Sequence, residues 1–480
     1  MPESPSSLIR WLAEAAGECP DRVAFRDEQG VTRYGEFWQA LARWRHTFAD
    51  AGLAPGVPVA VISRHRRRIA RAAWLAVYSG LPLLPLAPEQ LGLASLLRSC
   101  GVRQAITDAD IALPSGIRRL PAARLDAMPQ GASADPAPMA ANRPQLLVST
   151  SGTGDHPRAA MLDGDNLAAS AATTAEILEL DGGDDWLVCI PLTHIAGLMI
   201  LFRCARVGAS VTIHESFDAA TVWSSVSAGE ITRLSLVPPM LDRLLAVSDG
   251  QPGQRGRSLI VGGAPVSQAL ADRATSAGWP IMSSYGMTET ASHVALSGPD
   301  LAAGLMPLPG TRISVVAESG APAAGVGRIV IEGPTVMAGY ANPGLLRGDG
   351  LLGEHQLLTS DLGRIDERGH LRISGRSDDV LISGGVNVHP AVLEDVLAGC
   401  PGVVEAGIAG RHHPVWGHRL VAIYVGRLST EELARWIEQH IAPAMRPRDF
   451  IRVATLPRNA LGKLDRGLLQ LLAESAATED

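Results

Sequence analysis

Four short segments of this chain gather the residue types that handle phosphate, ribose and metal. The first is Ser149-Thr150-Ser151-Gly152-Thr153-Gly154-Asp155-His156-Pro157-Arg158, directly after the apolar run Leu146-Leu147-Val148. Glycines let backbone N–H groups approach phosphate oxygens, hydroxyls donate, and a cation offsets charge. The spacing is not that of the Gly-x4-Gly-Lys-Ser/Thr loop. A polar surface loop is the plain alternative. The second is Ser283-Ser284-Tyr285-Gly286-Met287-Thr288-Glu289. An aromatic beside a glycine can stack on a purine, Thr288 can donate to phosphate, and Glu289 can hold Mg²⁺, a hard cation that takes oxygen ligands. The same stretch also reads as a strand end followed by a helix with Thr288 as its cap.

The third segment pairs Thr359-Ser360-Asp361-Leu362-Gly363 with Gly375-Arg376-Ser377-Asp378-Asp379. The Asp361 carboxylate suits two ribose hydroxyls, and Arg376 can bridge ribose and phosphate. Both also fit solvated turns. The fourth is Asn459-Ala460-Leu461-Gly462-Lys463-Leu464-Asp465-Arg466. A lone lysine is usually a solubility residue, but one behind a glycine on a loop can swing into a site on another domain.

The elements that must position these segments alternate between strand and helix. Residues 7–50 read as helices flanking a short strand, 53–62 as a β-branched strand, 69–78 as an apolar helix and 81–86 as a buried strand. Such alternation implies parallel pairing and an α/β fold. A loop rich in Ala, Pro, Gly and Asp spans 121–144, after which the alternation resumes to Ser284. From Gly310 to Gly333 short strands suggest a small β-rich subdomain. Beyond Arg376, strands near 403–408, 420–425 and 451–453 with helices at 390–399 and 430–441 make a compact α+β unit. The chain therefore changes character after Arg376, and two units are expected.

Length and composition agree with that plan and exclude others. The chain has 480 residues, too many for one ordinary core. A net charge of −7 leaves no global basic field, so nucleic acid is not an expected partner. The basic run Arg64-His65-Arg66-Arg67-Arg68 reads as a solvated helix start. The apolar stretches Trp74–Pro88 and Ile195–Phe202 are interrupted or too short for the ~20 residues of a membrane span. The N-terminal residues lack a signal-peptide pattern. The five cysteines are scattered without a Cys-x-x-Cys pair, the pattern of buried, reduced thiols in a cytoplasmic protein.

In this order, the four segments resemble the core motifs of the adenylate-forming superfamily of acyl- and aryl-CoA synthetases, peptide-synthetase adenylation domains and luciferases. The resemblance runs over nearly the whole chain. It implies a large N-terminal domain, 1–377, of layered α/β subdomains plus a small β-rich one, and a small mobile α+β C-terminal domain, 378–480, hinged at Asp378. It implies that Thr150, Ser151, Gly152, Thr153 and Arg158 bind phosphate, and that Ser284, Tyr285 and Gly286 line the adenine site. It gives Asp361 and Arg376 to the nucleotide, Glu289 to Mg²⁺, and Lys463 to the acid and the α-phosphate. Thr288 and His194 join the catalytic set. The loop Gly384-Gly385-Val386-Asn387-Val388-His389-Pro390 is similar to the family loop that lines the pantetheine tunnel. ATP, Mg²⁺ and coenzyme A are the implied cofactors and co-substrates, and a carboxylic acid is the small-molecule partner. A homo-oligomer stays open. The phosphate loop departs from the family pattern at Gly154, Asp155, Arg158 and Ala159, and Asp155 puts a like charge near a polyanion.

The middle of the chain is most similar to the o-succinylbenzoate–CoA ligases of menaquinone biosynthesis. Asp185-Trp186-Leu187, Pro191-Leu192-Thr193-His194-Ile195-Ala196-Gly197, Ile200-Leu201-Phe202-Arg203, Ser235-Leu236-Val237-Pro238 and Val261-Gly262-Gly263-Ala264-Pro265 carry the likeness. It assigns Gly263, Ala264 and Pro265 to the nucleotide and His194, Gly262 and Arg203 to the acid. o-Succinylbenzoate has two carboxylates, so the one that does not react needs a cation, and an arginine fork suits it. The alternative for Arg203 is a surface or acid-paired side chain. The alternatives for the activity are another aryl- or fatty-acid CoA ligase, an adenylation enzyme that loads a carrier-protein phosphopantetheine, and a non-catalytic relative.

Overall fold

The computed structural model describes residues 6–126, 129–137, 142–150, 157–252, 258–317, 320–323, 325–342, 350–384, 386–413, 416–459 and 462–475. Two sheets build the first three quarters of the chain. In the six-stranded sheet, the order is 118–121, 104–107, 59–62, 83–86, 144–149 and 159–163. Its strands are parallel except the last pair, Pro144–Ser149 and Ala159–Asp163, which are antiparallel and flank the phosphate-loop segment. The central strands are apolar and buried at every position, as parallel strands covered on both faces must be.

The second sheet has 13 strands. One half is parallel: Val23–Asp27, Ser210–Ile213, Asp185–Val188, Arg233–Leu236, Ser258–Val261 and Ile281–Met287. At Ile281–Met287 the sheet changes character. Its other neighbour, Ser292–Ser297, is antiparallel, and Leu305–Pro307, Leu371–Arg376, Gln356–Ile365, Gly327–Glu332 and Arg312–Val316 follow in that order. The β-rich part expected at 310–333 is therefore larger, and it continues the α/β sheet. Ligands of open α/β sheets bind beyond the carboxyl ends of the parallel strands, and Tyr285 and Gly286 lie at such an end.

Helix Ile195–Val207 is apolar almost all round and buried, which is why it runs between layers rather than over the surface. Three details differ from the sequence reading. Residues 7–50 hold two paired strands, Val23–Asp27 and Gly30–Arg33. The strand expected from Leu53 begins at Val59, because Gly56 at φ +79° and Pro58 make a turn first. Thr288 starts a short 3₁₀ turn, Thr288–Thr290, capped by Met287, so it does not cap a helix.

The C-terminal unit has its own sheet, with long strands Val403–His413 and Gly417–Gly426, the hairpin Leu381–Ser383 and Val386–Val388, and Asp449–Arg452 pairing parallel. Helices Pro390–Ala398 and Thr430–His440 build a core on one face, and Arg466–Ser475 packs on the other. Among the described residues, no helix is long and apolar enough to cross a membrane.

Candidate active site

The site assembles where the parallel half of the large sheet ends. Tyr285 emerges at the end of its strand, and its hydroxyl donates to Asp361 Oδ2 at 2.8 Å. Asp361 lies on Gln356–Ile365, directly opposite Arg376 on Leu371–Arg376. Arg376 Nη1 reaches Asp361 Oδ1 at 3.2 Å, while its Nε and Nη2 grip both Asp378 oxygens at 2.8 and 2.6 Å. Burial and the Asp361 carboxylate raise the Tyr285 phenol far above its usual range, so its proton stays on. The ring thus has a fixed edge and is ready to flank a base.

Gly286 is required by its neighbour strand. A Cβ there would stand 2.1 Å from the Ser292 carbonyl oxygen, at a register shift opposite His293. Gly262 follows the strand Ser258–Val261, and a Cβ on it would meet Ser284 Oγ at 2.3 Å. Gly263 holds φ +80°, and a Cβ on it would lie 3.8 Å from Lys463 Cε. Ala264 and Pro265 continue this turn. Lys463 therefore reaches into the site from the C-terminal unit. Gly462 holds φ +72°, and a Cβ on it would stand 3.5 Å from Val237 and from Pro239.

The charges around Lys463 agree. Burial lowers its ammonium pKa below the usual lysine range, with Asp361 and Glu289 pulling it back up and Arg376 pushing it down. His194 caps helix Ile195–Val207, and burial together with Lys463 pushes it down to about 4. It is neutral at physiological pH. Glu289 sits in the 3₁₀ turn and accepts from the Tyr340 hydroxyl at 2.8 Å. Arg158 lies 3.9 Å from the Tyr340 ring centre. Thr150 and Arg158 close the hairpin neck, Thr150 N donating to Arg158 O at 2.9 Å. Ser151, Gly152 and Thr153 lie outside the described residues, as do the departures Gly154 and Asp155.

Arg203 is buried, so the alternative of a surface side chain fails. Its Nε and Nη2 have no hydrogen-bond partner among the described residues, and its guanidinium carbon is 5.8 Å from the Trp186 ring centre. Burial pushes its pKa down to about 9. Burial, with Arg203 nearby, holds the His293 imidazole well below its usual range, and its Nε2 meets Thr174 Oγ1 at 2.9 Å. Gly384 sits apart in the C-terminal hairpin, its N donating to Trp416 O at 2.8 Å, and Gly385 is outside the described residues. The structure therefore brings together Tyr285, Glu289, Asp361, Arg376, His194, Lys463 and the Gly262–Pro265 turn. It places Gly384 in another part of the molecule. Tyr340 escaped the sequence reading because a lone tyrosine after Gly339 carries no chemical signature.

The arrangement fits an ATP site. Asp361 offers acceptors for hydroxyls, Arg376 pairs with it, Lys463 lies within its electrostatic reach, and Arg158 is a further cation over the Tyr340 ring. Glu289 is a single carboxylate, which suits Mg²⁺, an ion that completes its shell with water and phosphate oxygens. The model of AMP-binding enzymes matches residues 12–341, and that of the AMP-binding enzyme C-terminal domain matches 392–463. The 2-succinylbenzoate–CoA ligase of Geobacillus kaustophilus is 30% identical over 97% of this chain and 98% of its own length. That of Bacillus subtilis is 28% identical over 96% and 97%. The solved o-succinylbenzoate CoA synthetase of Bacillus subtilis, in complex with its acyl-adenylate intermediate, superimposes with a TM-score of 0.87. It is 29% identical and is covered at 98% of both chains. With ATP and magnesium bound, the same synthetase gives 0.86 at 28% identity, over 96% of this chain and 98% of that one. The site geometry and these full-length matches agree: the chain belongs to the AMP-binding enzyme family and is similar throughout to its 2-succinylbenzoate–CoA ligases.

Proposed function

We propose that this chain is an AMP-forming acid–CoA ligase that converts o-succinylbenzoate to its CoA thioester through an acyl-adenylate, the reaction expected of menaquinone biosynthesis. In the first half-reaction a carboxylate oxygen attacks the α-phosphorus and pyrophosphate leaves. In the second, the CoA thiol attacks the acyl carbon and AMP leaves. The protein contributes position and charge more than covalent chemistry.

Lys463 spans the reacting carboxylate and the α-phosphate, where charge passes from one to the other. Neutral His194 lines the acid side and adds no competing cation. Tyr285 flanks the adenine, Asp361 takes the ribose hydroxyls, and Arg376 stands between ribose and phosphate. Thr150 and Arg158 serve the outer phosphates. Glu289 holds Mg²⁺, which when bound neutralises charge on the pyrophosphate. Residues 1–377 form the nucleotide and acid domain and 378–480 the mobile one, with the Gly384 loop serving the pantetheine arm. The enzyme works in the cytoplasm, where its thiols stay reduced, with a homo-oligomer as one form it can take.

One observation carries the choice of acid: the buried Arg203, whose Nε and Nη2 have no partner among the described residues. A buried cation without a counter-charge is costly, and a second substrate carboxylate would relieve that cost. ATP–pyrophosphate exchange across a panel of acids tests the reading. Exchange should be fastest with the aromatic dicarboxylate. Faster exchange with simple benzoates or fatty acids would discard o-succinylbenzoate as the substrate.

A further inference from the structure

The segment Met337–Ala341 joins two of the motifs. Met337 N donates to the Glu289 carbonyl at 2.9 Å, which fixes one end of the segment to the 3₁₀ turn that carries the carboxylate. Ala338 N donates to Met161 O, Met161 N to Gly339 O, and Ala341 N to Ala159 O, at 2.9, 2.9 and 2.8 Å. These bonds fix the other end to the strand that Arg158 leads into. Tyr340 lies within this brace and contacts the functional side chain on each side. Its hydroxyl donates to Glu289 Oε1 at 2.8 Å, and its ring lies 3.9 Å beneath the Arg158 guanidinium.

The chemistry of the two contacts explains a departure noted in the sequence. Arg158 is one of the positions at which the phosphate loop departs from the family pattern. A guanidinium stacks on an aromatic face and still directs donors outward. A ring beneath Arg158 therefore limits where an otherwise exposed, flexible cation can go. The phenol proton occupies one lone pair of Glu289 Oε1 and fixes the rotation of that carboxylate.

We propose that Tyr340 is a positioning residue: it sets the metal-binding carboxylate Glu289 and the phosphate-facing cation Arg158 at a fixed separation, so that MgATP meets both at once. The inference rests on the adenylation reading above. It adds that metal and phosphate recognition are coupled through a single side chain.

Tyr340→Phe removes the hydroxyl and keeps the ring. Tyr340→Ala removes both. ATP binding by calorimetry, titrated against Mg²⁺, should need about ten times more Mg²⁺ in the Phe variant, the scale of one lost bond to a charged group. AMP binding without metal should stay within about two-fold, since that bond is not to the nucleotide. The Ala variant should show the same Mg²⁺ shift and, in addition, weaker ATP binding at saturating Mg²⁺, because Arg158 loses its seat. A Phe variant with wild-type Mg²⁺ dependence overturns the proposal. So does a Phe variant that weakens metal-free AMP and MgATP equally, the mark of a purely structural tyrosine. If the wild-type protein binds no MgATP, the adenylation reading itself fails, a result distinct from either of these.

Discussion

Arg203 shows how a residue's cost can reveal its use. Burial of an arginine whose Nε and Nη2 have no partner among the described residues works against folding. Replacing a buried charge with an apolar side chain of similar length is often neutral or stabilising. Arg203→Met should therefore hold or raise the Tm. If the guanidinium grips the second carboxylate, the same change should lower kcat/KM for o-succinylbenzoate about 10- to 150-fold, the worth of a charge-assisted hydrogen bond. A comparable monocarboxylate should be unaffected or improved. An equal loss for both acids would mean that Arg203 only packs against Trp186. Lys463 gives a second test. Lys463→Ala should cost several orders of magnitude in adenylation, while isolated acyl-adenylate should still react with thiol at a near-normal rate. Its lowered pKa adds a pH signature. The ammonium is the working form, so pyrophosphate exchange should fail as pH rises through a value below the usual lysine range of about 10.4. Thioester formation from isolated adenylate should lack that alkaline limb. A limb shared by both half-reactions would point to another group.

Elements set the site as firmly as its side chains do. The Tyr285-Gly286 pair looks like a nucleotide motif, yet the glycine is demanded by strand Ser292–Ser297, whose Ser292 carbonyl would stand 2.1 Å from a Cβ. Gly286→Ala must part the strands just where the sheet turns from parallel to antiparallel. The expected loss is about 1–3 kcal/mol of stability, as for other overpacked sites, and ATP affinity should fall with it. A Tm equal to wild type would show that the register shift beside Gly286 absorbs the methyl. Much of this frame was legible in the sequence. The β-branched and apolar runs marked most strands of the parallel halves, and hydroxyl, glycine and acid clusters marked their functional ends. Contacts across long separations were not legible. Nothing near Tyr285 announces that its hydroxyl meets Asp361, 76 positions away, or that Glu289 meets Tyr340, 51 away. Arg203 was legible as a candidate cation for a second carboxylate, but its burial was not. The terminal helix Arg466–Ser475 went unread, and the Gly384 stretch was read as a loop without its hairpin, since short amphipathic and glycine-rich stretches give weak periodic signals.

The C-terminal unit presents one of its two candidate loops to the site. Lys463 is delivered from the C-terminal unit to Gly263, while the Gly384 loop packs on Trp416 within its own sheet. On the proposed reading the two half-reactions use different loops of one small domain, so that domain would have to turn, and the proposed pivot lies between Arg376 and Leu381. Here Arg376 holds both oxygens of Asp378 while also reaching Asp361. The proposed hinge is thereby tied to the residue meant for ribose, and filling the nucleotide site bears on the pivot. A hinge absorbs its rotation in φ and ψ at a few positions. Proline fixes φ near about −65°. Asp378→Pro should therefore trap the domain near one orientation and separate the two half-reactions. Pyrophosphate exchange and thioester formation from isolated acyl-adenylate should be measured on the same preparation. The expected outcome is a large fall in one with the other nearly preserved. Asp378→Ala controls for loss of the Arg376 clamp: it removes the carboxylate and leaves φ free, so both half-reactions should persist. If Asp378→Pro turns over at the wild-type rate in both, the pivot lies elsewhere. If Asp378→Ala shows the same asymmetry as Asp378→Pro, the clamp to Arg376, rather than backbone rotation at this position, governs the change of state.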